Sequence, residues 1–238
     1  YQGRWNATDQ IPQRAVDRGL VGSFGSLDPS DGGDSQRAIV AYERRRSLGT
    51  TGEFQLNAYA MRYRLNLFSN FTYALANPLN GDQFQQADRR SVMGIAPGWV
   101  YTGKLWDRES TFKFGGSLRR DDIGTVALYN TSQRQLLSTV RQDSVLQASA
   151  GVYAEHSLQW NDWLRSVIGA RTDAYRFDVR SNLPANSGKD GEHRTSPKAR
   201  LIFGPFDQTE FFLAGGYGFH SNDARGVVPA FPGNLRFC

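Results

Sequence analysis

Few side chains in this sequence are placed to do covalent or metal chemistry. The three histidines, His156, His193 and His220, lie far apart, with no i, i+4 pair to set two imidazoles on one helix face for zinc. The one cysteine, Cys238, excludes a disulfide within the chain and a multi-thiolate metal site. No Gly-x-Ser-x-Gly elbow occurs, although the sequence leaves a Ser-His-Asp arrangement of distant residues open. Gly215-Gly-Tyr-Gly218 resembles part of a phosphate loop, but it lies in a strand-like segment with no helix to follow, and a phosphate cradle needs a helix N-terminus. Asp28, Asp31 and Asp34 have the chemistry for calcium. Pro29 interrupts them and the closing glutamate of an EF-hand loop is missing, so they read as a solvated loop. What remains is hydrogen bonding and charge. Asp82, Gln83, Gln86, Asp88 and Arg89 form one polar cluster after Gly81, and His220, Asn222, Asp223 and Arg225 form another. Residues of these types either contact a polar ligand or hold their own loops together through turns and ion pairs.

The composition limits which elements can position them. Of 238 residues, 39% are hydrophobic, 21% charged and 13% aromatic, too aromatic and too weakly charged for a disordered chain. The formal net charge is +5. All but four of the 28 cationic side chains are arginine, the exceptions being Lys104, Lys113, Lys189 and Lys198. They are dispersed, with Arg44-Arg45-Arg46 the densest run, and no basic patch interleaved with aromatics points to nucleic acid. Mean hydropathy is −0.53. No stretch approaches the roughly 18–20 apolar residues of a spanning helix, which excludes a helical membrane protein. A membrane barrel stays open, because its polar half is hidden inside.

Most of the chain alternates apolar and polar residues, the period of a strand with two unlike faces. The clearest case is 144–160. Leu146, Ala148, Ala150, Val152, Ala154, Leu158 and Trp160 share one face, broken by His156. Gln147, Ser149, Gly151, Tyr153, Glu155, Ser157 and Gln159 share the other. A soluble strand is commonly about five or six residues, so this length fits a tilted strand crossing a thick apolar slab. Further strands are expected at 36–47, 53–65, 90–104, 110–121, 164–180, 195–206 and 209–221, with a stub at 1–5. Short connections near 50, 107, 162 and 207 alternate strictly with long ones at 6–35, 66–89, 122–144 and 181–194. Trp106, Trp160, Trp163 and Phe206 flank the short turns. Tight turns at one rim, long loops at the other and an aromatic girdle are the habits of up-and-down barrels in lipid.

Several blocks then resemble one family. Gly151-Val-Tyr-Ala-Glu-His156 with Trp160 and Trp163, Ile168-Gly-Ala-Arg-Thr-Asp-Ala-Tyr175, Ser196-Pro-Lys-Ala-Arg-Leu-Ile-Phe-Gly-Pro-Phe206 and the segment 209–226 are similar to barrel hairpins of TonB-dependent outer-membrane receptors. Trp5-Asn-Ala-Thr-Asp-Gln-Ile-Pro12 and the segment 80–90 resemble one branch of that family. The likeness covers most of 1–226. Residues 227–238, with two prolines and no alternation, read as a divergent tail.

The resemblance implies an all-β, antiparallel up-and-down transmembrane β-barrel, here incomplete, with about eight or nine strands of a larger barrel. It implies a non-enzymatic, monomeric importer in the bacterial outer membrane, surrounded by outer-membrane lipid and without a cofactor. The small-molecule ligand would be a ferric siderophore, vitamin, haem or glycan. An N-terminal plug and TonB box, outside these residues, would couple it to the TonB complex. An anionic ferric chelate would favour arginine, and a sugar would favour Asp, Asn, Gln and aromatic stacking. Both polar clusters carry both types. In the family's geometry Arg171 and Asp173 would face the lumen and anchor the plug. The rival readings are a small self-standing outer-membrane barrel, acting as adhesin or hydrolase, and a soluble β-sandwich binding module.

Overall fold

The structure, a computed structural model, describes residues 1–219 and 224–227. Among the described residues nine strands form one antiparallel sheet in which each strand pairs only with its predecessor and successor. They are β1 (Gln2–Asn6), β2 (Gly32–Leu48), β3 (Gly52–Ser69), β4 (Phe84–Leu105), β5 (Arg108–Ser132), β6 (Gln135–Asn161), β7 (Leu164–Ser181), β8 (Gly188–Phe206) and β9 (Thr209–Gly216). Two short helices, α1 (Gln13–Asp17) and α2 (Ala224–Val227), lie outside the strands. The expected open piece of an up-and-down barrel is what forms.

Strand pairing turns the alternation into two continuous faces, because directly paired residues project to the same side. Tyr42, Ala58, Ile95, Leu118, Ala150 and Ala174 are successive partners across β2 to β7. Among the described residues nothing covers this apolar face. Val40, Met93, Leu118, Val152, Ile168 and Leu213, all on it, are 54–75% exposed. A soluble sheet would not leave so continuous an apolar surface wet. Aromatic rings line the short-turn side of the belt. Phe54 meets Trp99 at 5.2 Å, Trp99 stacks on Phe114 at 5.2 Å, and Phe112 lies 6.4 Å from His156. Trp163 and Phe203 continue the band at 6.4 Å. His156, which interrupts the apolar run in sequence, thus sits among these rings, with Nε2 2.8 Å from the Ser110 hydroxyl.

The expected long connection 122–144 is a correction. β5 and β6 continue through it and are joined by Gln133-Arg134. Both turn residues have positive φ, 49° and 66°, as does the pair Trp106-Asp107, 51° and 58°. A two-residue hairpin demands this handedness. The strict alternation of short and long connections therefore fails here. β8 also starts earlier than expected, at Gly188, and β9 ends earlier, at Gly216. With 27 residues, β6 is about 90 Å long, far beyond the roughly 9–11 residues that cross a bilayer. The surplus lies on the loop side, where β6 has no β7 partner before Asp143.

Enclosed apolar packing is small. Val145, Phe177 and Val179 gather on the polar face near the loop end, and Ala224 of α2 packs onto them. Tyr175 meets Phe219 edge-on at 5.8 Å, so the chain beyond β9 folds back across this face.

Candidate functional site

The polar face is a wall of paired charges. Residues two apart on a strand share a face, and six strands use this spacing to set an arginine beside an acid. The pairs are Arg45–Glu43 at 3.0 Å, Arg90–Asp88, Arg119–Asp121 at 2.9 Å, Arg141–Asp143 at 2.7 Å, Arg171–Asp173 at 2.6 Å and Arg194–Glu192 at 3.8 Å. Glu155 joins strands instead, accepting from Lys113 at 3.4 Å and Lys198 at 2.5 Å. Ser117, Gly151 and Asp173 are consecutive partners in one row. Arg171 lies beside Gly151 and donates to Asp173 and to Ser117, the latter at 2.8 Å. The Tyr59 ring covers Gly94, and the Tyr153 ring covers Gly115. Aromatic cover of a strand glycine restores the packing that the glycine lacks.

At the loop end a buried polar hub ties three connections together. Gln83 Nε2 lies 2.6 Å from Ser30 Oγ, 3.1 Å from Asp31 Oδ1 and 3.3 Å from Asp28 Oδ2. Gln83 Oε1 accepts from Thr131 Oγ1 at 3.0 Å and from the Arg134 N–H at 2.9 Å. Arg134 Nε donates to the Ser30 carbonyl at 2.6 Å. Asn70 donates its side-chain amide to Asp28 at 3.0 Å and its backbone N–H to Asp9 at 2.6 Å. Asp31 Oδ2 and Asn70 Oδ1 are buried acceptors without a donor among the described residues. The arrangement clamps loops and holds a proton.

A sequence model of the family described as TonB dependent receptor-like, beta-barrel, matches residues 1–235. The chain belongs to this family. No curated protein matches it. Among solved structures it resembles the ferric citrate transporter FecA in its unliganded form, with a TM-score of 0.70 and 11% identity over 87% of this chain and 30% of FecA. It also resembles the open form of the ferric-catecholate import receptor Fiu from E. coli K12, with a TM-score of 0.62 and 11% identity over 89% of this chain and 40% of Fiu. It thus spans well under half the length of either receptor.

In this TonB-dependent receptor barrel the first polar cluster divides. Asp82 caps the loop before it, accepting N–H groups of Leu75, Ala76 and Asn77 at 2.7–3.2 Å and the Thr72 hydroxyl at 2.7 Å. Gln83 is the hub. Gln86 and Asp88 lie on the polar face, paired with Leu67 and Leu65, and Asp88 is engaged by Arg90. Arg89 points to the opposite face. The five residues are therefore not one surface. Of the second cluster, Arg225 lies in α2, while His220, Asn222 and Asp223 fall outside the described residues. The tail at 227–238 does too, apart from Val227. Arg171 and Asp173 share the polar face. Asp31 departs from its reading as part of a solvated loop, since it is fully buried. Sequence reasoning missed Asp9, Asn70, Thr131 and Arg134 in the hub. They are separated by as many as 125 positions in the chain, and only the pairing of β4 with β5 brings Gln83 to Thr131.

Burial pushes the Asp31 carboxyl up to about 7, opposed by the Gln83 hydrogen bond and reinforced by the charges of Asp28 and Asp9. Burial acts the same way on Asp28, but hydrogen bonds from Asn70 and Ser30 outweigh it and hold that carboxyl below its ordinary value. A folded-state value above the ordinary 3.8 means that the native hub binds an extra proton between about 4 and 7. Its stability therefore falls as pH rises through that window. Amide protection at 28–31 and 131–134, taken relative to the intrinsic exchange rate at each pH, is expected to fall from pH 5 to pH 8. In Asp31→Asn that fall should flatten. An unchanged pH profile in the variant would locate the titration elsewhere.

Proposed function

We propose that this chain is part of the wall of an outer-membrane receptor that imports a scarce small ligand with energy drawn from the TonB complex. The carrying observation is the division of one sheet into an exposed apolar belt, edged by aromatic rings, and a polar face of matched charges. Lipid suits the first face and a water-filled or plugged lumen the second. Membership of a family of bacterial outer-membrane transporters supports transport over catalysis. The TonB contact belongs to a region other than these residues.

A ferric chelate is the ligand class we favour, because FecA and Fiu are described as carriers of ferric citrate and ferric catecholate. The test is uptake of radiolabelled iron, given as ferric citrate or as a ferric catecholate, by cells lacking this receptor and by cells with it restored. Restoration is expected to recover uptake of one chelate in a TonB-dependent manner. Equal uptake of both chelates with and without the receptor would overturn the ligand class. Receptor-dependent uptake that survives loss of TonB would overturn the energy coupling.

A further inference from the structure

The apolar face carries a feature that import does not use. A groove of about 580 Å³ crosses β4 to β7 there, lined by Met93, Ile95, Leu118, Ala148, Ala150 and Ala174. Three alanines on adjacent strands make its floor low. Arg120 and Arg176 stand at its loop-side rim. Met93, Arg120, Ala148 and Arg176 are successive partners across the sheet, so the two arginines flank Ala148. Strands about 4.8 Å apart place their backbones about 10 Å from each other, a span that a phosphate can bridge.

The next row toward the loops adds Asp122, Asp178 and Lys189, with Arg180 beyond, and a second pocket of about 200 Å³ lies there with Arg120 on its border. The acids hold these cations only in part. Arg120 reaches Asp122 at 3.9 Å and Arg180 reaches Asp178 at 3.9 Å, while Lys189 lies 3.2 Å from Asp178. Arg176 has no ion-pair partner among the described residues. Four cations against two carboxylates leave the rim positive.

Depth fixes what meets this rim. From Trp160, at the short-turn end of β6, to Ala148 is twelve residues, about 40 Å of strand. Tilted by about 40°, that rise is about 30 Å, the thickness of a hydrocarbon core. With Trp160 at one interface, the arginines stand at the opposite one, at the level of lipid headgroups.

We propose that this groove is a binding site for a phosphate-bearing acyl lipid of the loop-side leaflet, with an acyl chain along the alanine floor and the phosphate between Arg120 and Arg176. The intact receptor, purified in detergent, is titrated with lipid A carrying its phosphates and with fully dephosphorylated lipid A, and retained lipid is read by native mass spectrometry. Phosphorylated lipid A should bind more tightly. The double variant R120Q/R176Q should weaken it about thirtyfold, and A150W, which fills the groove without touching charge, should also weaken it. R44Q/R46Q, on the same face at the short-turn end, should bind as wild type. Cold gel mobility checks that each variant is folded. Wild-type affinity in R120Q/R176Q, or equal affinity for the two lipids, overturns the site. Iron uptake is measured separately, so failure of the ligand reading leaves this test intact.

Discussion

Gly115→Val is expected to fold but to lower the stability of this barrel wall by about 1–3 kcal/mol. Gly115 lies in the middle of the sheet, between β4 and β6. A Cβ there would stand 2.6 Å from the Pro97 carbonyl oxygen and 2.8 Å from the Tyr153 ring. The ring can swing away, but the carbonyl belongs to backbone and cannot retreat without dragging β4. Overpacking of this kind costs about 1–3 kcal/mol, and the branched side chain should fall at the upper end. The receptor's unfolding midpoint in urea, followed by gel mobility, reads the loss. A companion, Tyr153→Ala, removes the ring and leaves the carbonyl. If Gly115→Val becomes tolerated in the Tyr153→Ala background, the ring was the obstacle and the backbone argument is wrong.

The second large effect is local. Gln83→Leu keeps side-chain volume and deletes every polar contact that the Gln83 side chain makes in the hub. Thr131 Oγ1 and the Asp31 carboxylate would then be left buried without their donor or acceptor. Each such orphan costs about 1–3 kcal/mol. Amide exchange across 28–31, 70–83 and 131–134 should rise on the order of a hundredfold or more, while the strands below keep their protection. Exchange that rises equally in β6 and β7 would mean that Gln83 supports the whole sheet, contrary to the loop-clamp reading. Exchange that does not rise would mean that water replaces the amide at no cost.

Much of the fold could be read from sequence where two-sided alternation is uninterrupted. Residues 144–160 showed both faces and the correct strand. The failure at 122–144 has a specific cause. Pairing of β5 shifts register between Ile123 and Val126, again between Leu128 and Tyr129, and again between Asn130 and Thr131. Each shift flips the side of the following residues, so period-two counting sees noise. The turn that closes this hairpin, Gln133-Arg134, lacks the Asn-Gly or Asp-Gly signature that positive φ normally recruits. The candidate site was legible only in part. Type and position marked Gln83 and Asp82 as polar loop residues, but not that one is buried and the other caps a turn. Burial of Asp31 depends on Asn70 and Arg134 arriving from elsewhere, which no local pattern records. Arg171 and Asp173 were visible because their partnership needs only a spacing of two.

That spacing has an evolutionary corollary. Six strands each bring a counter-charge for one of their own arginines, so these pairs do not depend on which stave stands beside them. With strands pairing only to immediate neighbours, staves inserted or lost elsewhere leave these pairs intact, while the bridge from Lys113 and Lys198 to Glu155 needs β5, β6 and β8 in place. The girth of such a vessel can change without renegotiating these within-stave pairs, though not the bridges between staves.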